Sequence, residues 1–209
     1  MSYQGKGTKL EEVKCRRPVL RYYGGKWRLA PWIISYFPQH KIYVEPFGGG
    51  ASVLLRKPRS YAEVYNDLDG EIVNVFRVLQ DERKAKTLIR RLELTLVARQ
   101  EFEDCWKPQQ KTFFDKVFGF LWAKDPYIEK ARRTIIKSFM GHSSDACLRK
   151  SRTGFLNGNR KGGTYSANNW RRYPAALSLC IERFRGVLIE NKPAIDVIEM
   201  YDSLETLFY

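Results

Sequence analysis

The stretch whose reading decides the fold is Ile42-Tyr43-Val44-Glu45-Pro46-Phe47-Gly48-Gly49-Gly50-Ala51-Ser52. A short apolar run opens it and ends on an acid, a proline and an aromatic, and three glycines follow. This order reads as a strand delivering a backbone turn against a flat, polar nucleoside ligand. Glycines without a Cβ let the main chain come close, and a helix starting over Ala51–Leu55 offers unpaired N–H groups beyond the turn.

On the N-terminal side, Trp27 to Phe37 predicts a helix, with Leu29, Ile33, Ile34 and Phe37 on one face and Pro38 as its stop. On the C-terminal side come a second strand, Tyr61–Tyr65, and a turn, Asn66-Asp67-Leu68-Asp69-Gly70. An amphipathic helix follows, with Ile72, Val75, Phe76 and Leu79 spaced i, i+3, i+4 and i+7. Strand and helix alternating in this way predict an α/β fold, a parallel sheet with helices on its faces.

From Asp81 to Asn169 helical patterns dominate: Leu88, Ile89 and Leu92, then Phe113 to Trp122, then Pro126 to Met140 with Asp125 as N-cap. Gly141 to Asn169, rich in Gly, Ser, Asn, Lys and Arg, reads as a long functional loop. Residues 81–169 are therefore expected to form a helical insertion. The α/β pattern resumes with a helix over Trp170–Phe184, a strand over Val187–Ile189, a helix over Pro193–Tyr201 and a strand from Thr206.

Charge is distributed unevenly. Residues 130–172 hold eleven Lys or Arg against the single acid Asp145, within a chain of formal net charge +14. A solvated face is usually mixed in sign, so this run predicts contact with a polyanion, nucleic acid first. Cys15, Cys105, Cys147 and Cys180 are widely spaced, and with two histidines no metal site is expected. No apolar run reaches membrane-spanning length, and Met1 to Arg17 lacks a signal-peptide core, so a cytoplasmic protein with no membrane partner is expected.

Two nucleotide motifs are tested and fail. Around Gly24-Gly25-Lys26 a phosphate loop would need glycine at 20 and Ser or Thr at 27, where Leu20 and Trp27 stand. A dinucleotide fingerprint would need a third glycine at Val53, which disfavours a nicotinamide oxidoreductase. What remains is a lysine near a helix start, a glycine turn, and Asp67 at the end of the next strand, placed to bond ribose hydroxyls.

Together, Tyr22-Tyr23-Gly24-Gly25-Lys26, Glu45 to Ser52 and Asn66-Asp67 resemble the cofactor motifs of Dam-type (D12 class) DNA adenine-N6 methyltransferases. The resemblance resumes at Arg183-Phe184, Val187, Ile189-Glu190-Asn191 and Val197 to Tyr209, with a variable insertion between. Pro193 and Leu204 depart from the family pattern, which commonly has aspartate and proline there. The resemblance implies a Rossmann-like S-adenosylmethionine-dependent sheet. Its cofactor-binding part is residues 1–80, its DNA target-recognition insertion 81–169, and its return to the methyltransferase domain 170–209.

Carried over by motif, Tyr22 contacts the adenine or ribose of S-adenosylmethionine and Lys26 pairs with its carboxylate. Glu45, Pro46, Phe47, Gly48 and Gly50 form the turn beneath, and Asp67 binds the ribose. In the insertion, Lys137, Leu148, Arg149, Lys150, Arg152, Arg160 and Lys161 are the candidates for contact with double-stranded DNA around a flipped adenine. The resemblance also implies a bacterial or phage setting, such as restriction–modification.

The family's catalytic Asp-Pro-Pro-Tyr occurs nowhere in the 209 residues, and by resemblance it would follow Tyr209. No catalytic residue is therefore assigned, and the sheet is expected to be incomplete at its C-terminal end. The chain is expected to be inactive alone or to need a completing segment, for which a second polypeptide is a candidate. The alternative is a non-catalytic module that binds DNA and S-adenosylmethionine. Charge alone leaves an RNA methyltransferase open.

Overall fold

The computed structural model describes residues 15–108, 125–156 and 166–209. Among these, a four-stranded parallel sheet is formed by β1 (Ile42–Glu45), β2 (Ala62–Asn66), β3 (Leu188–Glu190) and β4 (Thr206–Phe208), in the order β3-β2-β1-β4. The expected α/β class and parallel sheet are present. β1 and β2 are in register from Ile42↔Ala62 to Glu45↔Tyr65, so their carboxyl ends finish side by side.

Alternation along the strands divides the two faces. Tyr43 and Tyr65 enter the large core built with α2 (Gly70–Gln80), α3 (Glu82–Glu93), α5 (Pro126–Met140) and α6 (Ser166–Phe184). Val44 and Val64 face the other way and meet Val197 and Tyr201 of α7 (Ala194–Tyr201). Period-two patterning thus buries both faces, as a parallel sheet requires.

Helix ends follow their local chemistry. Asp69 caps α2 by accepting from the N–H groups of Glu71 (2.8 Å) and Ile72 (3.4 Å). Asp125 accepts from Tyr127 N–H at 2.9 Å and Pro126 takes the first helical position of α5, as expected. A short helix not expected from the sequence, α4 (Arg99–Asp104), lies before the undescribed residues 109–124, which include the expected helix Phe113–Trp122.

Three expectations are corrected. The helix expected over Trp27–Phe37 is α-helical only as α1 (Ala30–Ile34), flanked by turns: Pro31 stands in its first turn, and beyond it the N–H groups of Tyr36 and Phe37 bond three residues back, to Ile33 O and Ile34 O. Ala51–Leu55 forms turns rather than a regular helix: Ala51 sits at φ +51°, outside the right-handed helical region. The stretch Gly141–Asn169 is not loop throughout: α6 starts at Ser166, and Gly141 and Phe155 pair in an antiparallel bridge that folds 141–155 back on itself.

Candidate cofactor site and nucleic-acid surface

The glycine turn lies at the carboxyl ends of β1 and β2, the edge where open α/β sheets bind ligands. A cleft of about 320 Å³ opens there, lined by Tyr22, Lys26, Glu45, Phe47, Gly49 and Tyr209 among others. A larger cavity of about 670 Å³ lies at the opposite, amino edge near Phe37, His40, Lys57, Tyr61 and Leu204. There Lys57 spends its three protons on Pro58 O, Ser60 Oγ and Glu63, so size alone does not make that cavity the site.

Backbone carbonyls and one carboxylate hold the turn through its N–H groups. Gly48 N–H donates to Asn66 O at 2.7 Å, Gly49 N–H to the Asp67 carboxylate at 2.8 Å, and Ala51 N–H to Gly48 O at 2.8 Å. The second Asp67 oxygen accepts from Asp69 N–H at 2.8 Å, so one carboxylate pins two successive turns. The N–H groups of Gly48, Gly49, Ala51 and Leu54 are thus taken up within the protein. The main chain is tightly set, with Gly49 at φ +48° and the buried, non-glycine Ala51 at φ +51°.

Two glycines are required by space. A Cβ on Gly48 would stand 2.3 Å from the Tyr65 ring, and one on Gly49 would stand 2.6 Å from the Tyr22 ring. Tyr22 therefore lies across the turn as a roof. Burial first, then the nearby Asp67 and Asp69, push its hydroxyl well above the ordinary tyrosine range and keep it neutral. Lys26 Nζ donates to Gly24 O at 2.5 Å from an exposed position on the rim, and Phe47 is 79% exposed beside the cleft.

Glu45 is the one buried acid lining the cleft. Its Oε1 accepts from Tyr43 OH and from Leu54 N–H, both at 2.8 Å. Burial pushes its pKa up to about 7 against these bonds. Pro46 is buried and its carbonyl accepts from the Asn66 side chain at 2.8 Å.

The structure brings Tyr22, Lys26, Glu45, Pro46, Phe47, Gly48, Gly50 and Asp67 together around this turn. It also assigns work to residues without a role in the sequence reading. Asn66 is fully buried; its amide donates to Lys192 O at 3.0 Å and accepts from Lys192 N–H at 2.9 Å, tying β2 to the loop after β3. Asn191 donates to Asp67 O at 2.7 Å and Leu68 O at 3.1 Å. A polar residue ending each of two strands was the available signal.

The basic candidates are placed less uniformly. Lys137 sits over the Trp106 ring at 4.6 Å, and Lys150 is exposed with no carboxylate partner among the described residues. Arg149 is paired with Asp145 at 2.8 Å and Arg152 with Glu103 at 3.1 Å. Leu148 is partly buried against the main core. Arg160 and Lys161 lie outside the described residues. All four cysteines are buried and unbridged, and no cluster among the described residues could hold a metal ion. No helix among the described residues is long and apolar enough to cross a membrane.

Comparison with known proteins bears on both surfaces. The family model for the D12 class N6 adenine-specific DNA methyltransferases matches residues 22–170, well over half of the chain. The DNA N-6-adenine-methyltransferase of Escherichia phage P1 is 33% identical over 91 residues, an alignment taking in 41% of this chain and 12% of that relative. The matched range runs from Tyr22, the roof of the glycine turn, through the basic segment to the first turn of α6.

Proposed function

The chain belongs to the D12 class of N6 adenine-specific DNA methyltransferases, and from that premise we propose that its carboxyl-edge cleft binds S-adenosylmethionine for methylation of an adenine flipped from duplex DNA. The observation that carries this reading is the glycine turn pinned by Asp67 at the carboxyl edge, with Lys26 lining the same cleft. The groups present suit the cofactor. The Gly48–Gly49 cradle excludes side chains, Asp67 offers an anionic acceptor, Lys26 offers a rim cation, and Phe47 and Tyr22 offer ring faces. S-adenosylmethionine, when bound, supplies the methyl group.

What this chain does is position and exclude. Tyr22 and the glycine turn shape the nucleoside seat, Asp67 takes ribose hydroxyls on its free lone pairs, and Lys26 exchanges its bond to Gly24 O for a ligand carboxylate. Residues 1–80 and 170–209 build this seat. Residues 81–169 act as the DNA-recognition insertion, with Lys137, Lys150 and the arginines freed from Asp145 and Glu103 as phosphate contacts. The groups that accept the N6 hydrogens of adenine are assigned to no residue of this sequence, which contains no Asp-Pro-Pro-Tyr. A segment carrying that motif, on the same protein or on a second polypeptide, is the proposed source. The setting is the cytoplasm of a bacterium or of a phage-infected cell.

Calorimetric titration with S-adenosylmethionine tests the site. Asp67→Ala and Lys26→Ala each weaken binding by about tenfold or more, the size of a lost hydrogen bond to a charged group; unchanged affinity in both variants removes the assignment. Transfer of labelled methyl to unmethylated duplex DNA, with and without a fragment bearing Asp-Pro-Pro-Tyr, tests the chemistry. Transfer only with the fragment supports a shared active site. Binding of both ligands without transfer in either assay makes the chain a DNA- and cofactor-binding module.

A further inference from the structure

Residues 15–22 pass beneath the insertion before they reach the cofactor turn, and helices α5 and α6 grip them at every second residue. The Arg17 guanidinium lies against the rings of Phe139 (5.7 Å) and Tyr173 (5.5 Å) and donates to Asn169 O at 3.1 Å. Tyr173 OH donates to Val19 O at 2.5 Å. The last grip is the most specific. Ser138, wholly buried on α5, accepts from Arg21 N–H at 2.6 Å and donates to Arg21 O at 3.0 Å. Cys147, in the loop after α5, also reaches Arg21 O, at 3.8 Å.

Arg21 is the residue immediately before Tyr22, and Tyr22 is the roof of the Gly49–Gly50 turn. Ser138 is the residue immediately after Lys137, a candidate phosphate contact. A hydroxyl that both accepts from and donates to one backbone unit fixes that unit in position and orientation, which a single bond does not. Within the reading that the cleft binds S-adenosylmethionine and the insertion binds DNA, we infer that Ser138 is a positioning residue. It couples the DNA-bearing end of α5 to the cofactor turn through the backbone of Arg21, so each ligand tightens the binding of the other.

Linkage makes the coupling reciprocal, and couplings of this kind commonly amount to roughly 5- to 150-fold. Calorimetry on the full chain measures S-adenosylmethionine affinity with and without saturating mixed-sequence duplex DNA at low salt. The expected result is about tenfold tighter binding with DNA in the wild type, within that common range. Ser138→Ala reduces the factor to about threefold or less while each ligand alone binds within about threefold of wild type. An undiminished factor in Ser138→Ala overturns the inference, as does a wild-type factor of one. Failure of either ligand to bind the wild type sinks the functional reading itself, and so is distinguishable.

Hydrogen exchange on the wild type needs no variant and decides the matter should Ser138→Ala fold poorly. Duplex DNA without cofactor is expected to slow exchange of the Arg21 amide, whose acceptor is the Ser138 hydroxyl. An Arg21 amide indifferent to DNA overturns the proposal.

Discussion

Glu45 and Glu63 occupy the same face of the sheet, one strand apart, and meet opposite fates. In the β1–β2 register Glu45 stands beside Tyr65 and Tyr43 beside Glu63, a checkerboard of acids and phenols. Both acids are buried. Glu63 is met by two cations: Lys57 Nζ at 2.6 Å, and Arg183 at 2.6 and 2.8 Å through both ends of its guanidinium. Burial alone would raise its pKa, but the bonds from Arg183 and Lys57 hold it below the ordinary glutamate range. Glu45 has a phenol and an N–H as its hydrogen-bond donors, and burial wins. One acid serves as a fixed charge that rivets α6 to the sheet. The other, in the wall of the cleft, sits where a proton can come and go near neutrality.

The largest effect expected from this contrast is on the riveted side. Arg183→Ala leaves the buried Glu63 carboxylate with Lys57 as its one paired cation and costs about 3–5 kcal/mol of unfolding free energy in a urea titration. A loss under about 1 kcal/mol, the range of exposed pairs, would reduce Glu63 to an ordinary ion pair and break the comparison.

Next in size is the pH dependence, where the two acids have opposite signs. For Glu45 the folded value, about 7, lies above the unfolded value of 4.5. The folded chain therefore holds a proton that the unfolded chain releases between these values, and stability falls as pH rises through that window. The loss is about 3 kcal/mol. For Glu63 the folded value is lowered, so its contribution is present above 4.5 and disappears as pH falls through the folded value. Unfolding free energies measured from pH 4 to 8 should show the Glu45 slope, and Glu45→Gln should flatten it. A slope that survives in Glu45→Gln belongs to another group.

Smaller still, Gly48→Ala drives a Cβ into the Tyr65 ring beside Glu45 and is expected to cost about 1–3 kcal/mol and to weaken cofactor binding. Gly154→Ala, with only the His142 Cβ at 3.8 Å, should stay within about 0.5 kcal/mol. Equal effects at both positions would show that the cleft is no more tightly packed than the insertion loop. The smallest change is in salt response: Lys150→Ala is expected to lower the salt slope of DNA binding by about 1, with stability within about 0.5 kcal/mol.

The same contrast marks how far residues could be read in order. The Glu45–Gly50 turn, the Asp69 cap and the apolar face of α2 rest on chemistry within a few positions, and their places follow from spacing. Asp67 was readable as a group at a strand end, though its grip on Gly49 N–H was not. Glu63 finds Arg183 across 120 positions, and Ser138 finds Arg21 across 117. No periodicity joins such pairs; only the packing of α5 and α6 on the sheet does. Ala51–Leu55 was misread as helix because its residue types do not show that Ala51 takes a left-handed backbone after the glycine turn. Charge counting found the basic segment but could not show that Arg149 and Arg152 have acidic neighbours, one of them in α4.

Asn66 also imposes an order of events on the folding chain. Its side chain closes on the backbone of Lys192, 126 positions away. β1, β2 and α2 can gather early, because their contacts are local. Until Lys192 is in place, the amide ending β2 lacks two of its bonds, and closing apolar surface over it would leave a polar group unmet. Contacts so distant in sequence form slowly. The carboxyl end of β2 therefore sets late, and a chain still being synthesised carries β2 as an unpaired edge until β3 arrives.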